Sequence, residues 1–294
     1  MARLYNDYSS YLKTRYGCKV YRIGLDAGFS CPGRCIYCND NGSRSSYTDP
    51  GKSVRDQLSA GIRGLRQARA AEKFIAYFQA FTNTNAATAK LKKTYDSIIP
   101  FKEIVGLSIG TRPDCVDIDK LDLIASYKNR YDVWIEYGLQ SIHDRTLKYI
   151  KRGHSFADFM KAYDETRARA IQVSVHVILG LPGETKDDII QTARKLSEIK
   201  VDAVKIHLLH ILKGSELEKM YHAGKVRILD QDEYTDLACD FLENLSEDII
   251  IQRLTGEGRG DDHIAPAWAL NKTGTINRIK ETLVRRGSCQ GFRA

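Results

Sequence analysis

From Val20 to residue 223 the sequence alternates six times between a short β-prone run and a helical stretch. Such alternation calls for parallel strands joined by helical crossovers, since a parallel neighbour is reached only across the face of the sheet. Strands are expected at Val20–Leu25 and at residues 73–81, 104–109, 132–139, 173–179 and 203–209. Helices are expected over residues 53–71, 86–98, 119–127, 143–150 with 156–170, 186–199 and 216–223. Residues 53–71 show the logic: Val54, Leu58, Ile62 and Leu65 recur at the spacing that lines one helical face. A series of six such units closes or nearly closes, so the expected fold is α/β, a partial (β/α)6 barrel of TIM type. A helix at 232–245, an added strand at 248–254 and a helix near 276–286 follow. The chain thus divides into an N-terminal extension (1–19), a barrel core (20–225) and a C-terminal extension (226–294) that covers the barrel and is a candidate substrate-binding element.

The loop after the first strand carries Cys31, Cys35 and Cys38 in CPGRCIYC, with Tyr37 just before the last thiol. No fourth cysteine stands nearby; the next is Cys115. Three thiolates on a four-iron cube leave one iron without a protein ligand. An open position is what a catalytic metal site needs. A structural zinc site would want a second Cys or His pair at compact spacing. A disulfide framework fits poorly with seven cysteines, an odd number, and a polar start. No apolar run is long enough for secretion or a membrane span, so the chain reads as cytoplasmic and not membrane-bound.

The net charge of +8 favours polyanions or an anionic small substrate, and does not choose between them. Basic residues cluster at 63–69, 90–93, 148–152 and 272–293. The tail adds His263 and Trp268, a mixture of cationic and stacking groups suited to looped or single-stranded RNA.

The cysteine spacing with its penultimate aromatic resembles the cluster motif of the radical S-adenosylmethionine (SAM) enzymes. Within them the resemblance is to the branch of the Elongator catalytic subunit and the YhcC/YtqA-like proteins. It is carried by YFQAFTNT, GLSIGTRPDC, IEYGLQSIHDRTLKYIKRGH, VHVILGLPGET and KIHLLHILKGSEL. The resemblance implies one [4Fe–4S] cluster on Cys31, Cys35 and Cys38, whose free iron is chelated by SAM. An electron, from a flavodoxin- or ferredoxin-type donor, would then release a 5′-deoxyadenosyl radical. It further implies SAM contacts at Tyr37, Gln79, Gln140, Arg152, His176, Ile178 and Gly180. Two departures stand out: Gln79-Ala80-Phe81-Thr82 replaces a Gly-Gly-Glu element, and Gly110 replaces a glutamate. Arg112 and Asp114 remain as polar groups at the mouth, where a turn-capping ion pair is the ordinary alternative.

The residues add their own constraints. An arginine fork matches a carboxylate bidentately, and an amide offers both a donor and an acceptor to ribose hydroxyls. Glu136, His176 and Lys205 with His207 should face the barrel lumen by the two-residue period, whereas His207 and His210 should point apart. Thr185 suits a helix N-cap. The branch implies a tRNA substrate, at the anticodon wobble uridine. A radical SAM enzyme acting on a small metabolite or peptide, and a non-catalytic, metal-stabilised RNA-binding barrel, are the alternatives. Oligomeric state is left open.

Overall fold

The described residues of the computed structural model are 3–40, 49, 51–256 and 262–294. A first helix, α1 (Tyr8–Tyr16), precedes the barrel. Then come β1 (Val20–Leu25), α2 (Val54–Arg69), β2 (Lys73–Phe78), α3 (Thr88–Asp96), β3 (Ile104–Thr111) and α4 (Ile118–Ser126). The second half runs β4 (Asp132–Gln140), α5 (Asp144–Tyr149), α6 (Phe156–Ala168), β5 (Gln172–Leu179), α7 (Lys186–Glu198) and β6 (Ala203–Leu208). The remainder holds β7 (Ile211–Leu212), α8 (Glu216–His222), α9 (Gln231–Glu243), β8 (Ile250–Arg253), β9 (His263–Ala265) and α10 (Lys272–Arg286).

The strands pair in the order β1-β2-β3-β4-β5-β6-β8, every neighbouring pair parallel, and the sheet curls into a half-barrel. The six expected units are therefore extended by a seventh strand, β8, supplied by the run expected at 248–254. β7 and β9 form a separate antiparallel pair that the sequence pattern did not show.

Alternation along each strand sorts the two faces. Leu25, Phe78, Ile109, Ile135, Val175, Ile206 and their neighbours pack outward against the helices in one continuous core, which reaches Ile279 and Leu283 of α10. The inner face begins with an apolar floor: Ile75, Trp134, Ala203 and Ile250 meet Tyr8 and Leu12 of α1. α1 thus plugs the N-terminal end of the barrel. Arg15 and Tyr16 pin it to Asp132 at 3.0 and 3.2 Å, and Asn6 accepts the Ile251 N–H at 2.7 Å on the side of β8. Thr185 caps α7, with Asp188 returning the bond to its backbone.

The ends of β2 and β3 depart from expectation for reasons the structure shows. β2 stops at Phe78, because Asn83 beyond it donates to the Ala80 and Gly110 carbonyls and Phe81 turns to φ 59°. The YFQAFTNT run thereby becomes a buried polar knot in which Thr84 also bonds Thr111 and the Cys115 carbonyl. β3 runs on to Thr111, since Gly110 and Thr111 find partners in Glu136 and Tyr137.

Candidate active site

The cysteine loop leaves the C-terminal end of β1 and is tied down at several points. Gln57 of α2 closes two bonds on the Asp26 backbone, and Gly28 donates to the Asp26 side chain. Further on, Ile36 N–H donates to the Ile150 carbonyl at 3.1 Å, and Leu217 N–H at the start of α8 donates to the Ile36 carbonyl at 2.7 Å. The Ile36 side chain packs with Ile178, Ile150 and Leu209. Cys35 is buried, Cys31 half-buried and Cys38 exposed. The hydrogen bond from Cys38, helped by the adjacent Arg152 cation, holds the Cys35 thiol below its ordinary value against the opposing effect of burial.

Gln140 and Arg152 converge on Gly138. Arg152 is buried; its Nε donates to the Gly138 carbonyl at 3.0 Å and its Nη1 lies 3.5 Å from Cys35 Sγ. A Cβ on Gly138 would sit 2.5 Å from Arg152 Nη2 and 2.9 Å from Gln140 Nε2, so any side chain there would displace the ends of both. A register shift between Gly138 and Gln140, with Gln140 at φ 77°, aims the amide at the same spot. His154 Nε2 stands 3.3 Å from the same carbonyl, and burial with the nearby Arg152 charge lowers its imidazole to about 4.

One step deeper, above the apolar floor, lies a buried ion network. Glu136, with no exposed side-chain surface, meets Arg22 Nη1 at 2.8 Å, His176 Nε2 at 3.0 Å, Ser108 Oγ at 2.6 Å and the Lys205 ammonium. Lys205 also donates to Tyr77 Oη at 2.9 Å. Burial alone would raise the carboxyl of Glu136, yet Arg22, Lys205 and His176 hold it well below the usual range. Burial lowers Lys205, assisted by the like charge of Arg22, and lowers His176 to about 4. Glu136, His176 and Lys205 therefore face the lumen as the alternation predicts. Arg22 and Tyr77 were missed, although a lone arginine in VYRIGL is itself the signal of an inward polar position.

The other expected residues are placed as follows. Gln79 stands at the end of β2 beside Gly110, whose added Cβ would lie 3.6 Å from Gln79 Cα, so the two departures from the family pattern are neighbours. Tyr37 lies close to Cys35, Cys38 and Arg152. Ile178 packs under the cysteine loop. Gly180, at φ +86°, faces Leu229, whose Cδ1 is 2.8 Å from a built Cβ, and lines a cavity of about 10 Å³ with Tyr234 and Trp268. His207 and His210 do not diverge: β6 ends at Leu208, and both rings lie beside Gly256. Trp268 is engaged in packing, tilted on Tyr234 at 5.3 Å and bonded to the Leu229 carbonyl. Residues 257–261 of the basic tail lie outside the described residues.

A model of the radical SAM superfamily matches residues 27–196, and one of the radical SAM C-terminal domain matches residues 201–285. This chain belongs to the radical SAM superfamily. The uncharacterized protein MJ0486 of Methanocaldococcus jannaschii is 40% identical over 298 residues, spanning 99% of this chain and 92% of that protein. YhcC of Escherichia coli is 36% identical over 289 residues, spanning 94% and 91%. A shorter match, 28% identical over 137 residues, covers 45% of the chain and 25% of the tRNA uridine(34) acetyltransferase of M. jannaschii. In fold, the chain resembles Methanocaldococcus infernus Elp3 with a TM-score of 0.70 at 18% identity, over 92% of this chain and 64% of the other.

The cofactors of this radical SAM chain are one [4Fe–4S] cluster and SAM. The residues present fit them: three thiols in one pinned loop, an arginine on Cys35, and a further buried arginine nitrogen, Arg112 Nη1, that lacks an acceptor. Among the described residues no three His, Cys, Asp or Glu converge on a single ion. Thiols serving separate irons of a cube need no such convergence. No helix among the described residues is long and apolar enough to cross a membrane.

Proposed function

We propose that this radical SAM enzyme holds its cluster on Cys31, Cys35 and Cys38 and binds SAM across the ends of β2, β4 and β5, in order to modify a tRNA. When bound, the cluster and SAM supply one-electron cleavage of a sulfonium and with it a hydrogen-abstracting radical. The protein's own groups position and hold charge. Arg152 favours the Cys35 thiolate and offers its remaining donors to a carboxylate; Gln140 offers both hydrogen-bond senses to a ribose. Tyr37, Gln79, His176, Ile178 and Gly180 complete the expected SAM surroundings. The convergence of Arg152, Gln140 and Cys35 around Gly138 carries the reading, for it joins residues far apart in sequence at the site.

The tRNA assignment is supported by the +8 charge and by the partial likeness to tRNA uridine(34) acetyltransferase. One observation favours the small-substrate reading instead: Arg278, Arg286 and Arg293 of the tail pair with Asp232, Asp236, Asp240 and Glu243, so their charge is already met. A flavodoxin- or ferredoxin-type protein supplies the electron, and the four cysteines outside the cluster motif, none in a disulfide, suit a reducing, cytoplasmic setting.

Two measurements test this. Cys35→Ala should abolish 5′-deoxyadenosine formation while circular dichroism stays unchanged; retained formation removes the thiolate from its role. Nucleoside profiles of tRNA from a deletion strain should lack one modification present in wild type, and identical profiles would hand the substrate to the alternative.

A further inference from the structure

Arg112 follows β3 directly, and its side chain is only 4% exposed. Asp114 takes two of its three donor nitrogens, Nε to Oδ1 at 2.9 Å and Nη2 to Oδ2 at 2.7 Å. The third, Nη1, is buried and has no acceptor. An orphaned buried donor is costly, and native structures seldom leave one without a reason.

Nη1 faces the cysteine loop. A Cβ built on Gly33, between Cys31 and Cys35, would lie 2.5 Å from it, and one on Gly153, just after Arg152, would lie 2.9 Å from Nη2. The guanidinium is therefore held in a slot between two residues without side chains, at the base of the loop that carries the thiols. A turn-capping ion pair with Asp114 accounts for Nε and Nη2. It does not account for the slot, the burial or the idle Nη1–H. Burial works against the Arg112 charge, while Asp114 first and then Cys31 and Cys115 favour it.

We propose that Arg112 donates its Nη1–H to a sulfur of the bound [4Fe–4S] cluster on the Cys31 side, and with Arg152 on the Cys35 side raises the cluster's reduction potential. The inference rests on the reading that Cys31, Cys35 and Cys38 hold the cluster. Reduction adds one electron, taken from the external donor, and leaves the cluster more negative. A fixed cation and a hydrogen bond to sulfur both favour that state over the oxidised one. Two buried arginines against one thiol loop act in the same sense. Arg112 is thus a tuning residue for the cofactor and not a caliper for substrate.

The test is a mediated redox titration of the anaerobically reconstituted full chain with dithionite, followed by electron paramagnetic resonance of the reduced cluster, without SAM. Arg112→Gln should load iron and sulfide as wild type does. At a fixed potential its reduced-to-oxidised ratio should fall about tenfold, a midpoint about 59 mV lower. Arg69→Gln, which removes the same charge at the exposed end of α2, should leave the midpoint unmoved. If Arg112→Gln takes up no iron, Arg112→Lys keeps a charge in the slot without the fork, and its midpoint should move the same way by less. A loaded variant at either stage with the wild-type midpoint overturns the proposal. Failure of wild type to take up any cluster overturns the reading of the cysteines, and this inference with it, and is told apart by the iron content alone.

Discussion

Replacing Glu136 by Gln should cost the fold about 3–5 kcal/mol, since it removes the only carboxylate from a buried network whose cations stay behind. Glu136 has no exposed side-chain surface and receives Arg22, Lys205, His176 and Ser108 at once. The amide keeps the shape but presents an N–H₂ group where only acceptors are wanted. Lys205 can relieve part of the strain by shedding its proton, as its lowered value already favours, whereas Arg22 cannot. The loss should therefore lie near the lower figure, about 3 kcal/mol, still a large share of the 5–15 kcal/mol typical of a domain. Urea unfolding at pH 7.5 would measure it as a lower midpoint at unchanged slope. The pH dependence supplies a second check. Glu136 is depressed in the folded state, so its contribution is complete above the unfolded glutamate value of about 4.3 and is lost as pH falls toward the folded value. The gap between wild type and variant should narrow below about pH 4. Exchanging Lys205 for Met in the variant should restore stability, because it removes one of the stranded charges. A loss under about 1 kcal/mol at pH 7.5, or a gap that does not narrow in acid, would refute the network as a source of stability.

Other outcomes follow from single contacts. Arg152→Ala should weaken SAM binding by about 1.5–3 kcal/mol in calorimetric titration of the reconstituted protein. Gly138→Ala should approach that loss by displacing Arg152 from the carbonyl it holds, and an undiminished affinity in both would remove Arg152 from the pocket. His154 titrates near 4 when folded against about 6.5 unfolded, so stability should rise with pH across that window. At pH 5 keeping His154 neutral costs the fold about 2 kcal/mol relative to neutral pH, and His154→Gln should flatten that part of the stability profile measured by thermal unfolding.

The barrel was legible because its signal is local. A strand such as VSVHVIL and the apolar stripe of α2 announce themselves within a few residues, and their order leaves little choice of topology. Alternation likewise assigned Glu136, His176 and Lys205 to the lumen. Errors arose where a side chain elsewhere ended an element. β2 was cut short by Asn83 reaching back to two carbonyls, and the expected divergence of His207 and His210 failed because β6 stops at Leu208. The plug made by α1 was invisible: its tyrosines look like a polar tail until the floor of Ile75, Trp134 and Ala203 is known.

The series of strands and helices, and the three thiols in the loop after β1, follow from propensity, periodicity and spacing, which act over short stretches of chain. Which side chains meet was decided only by tertiary structure. Arg22 and Lys205 share the Glu136 carboxylate across three strands, and Arg112 slides under Gly33, because the curl of the sheet brings together faces that the linear pattern can orient but cannot pair.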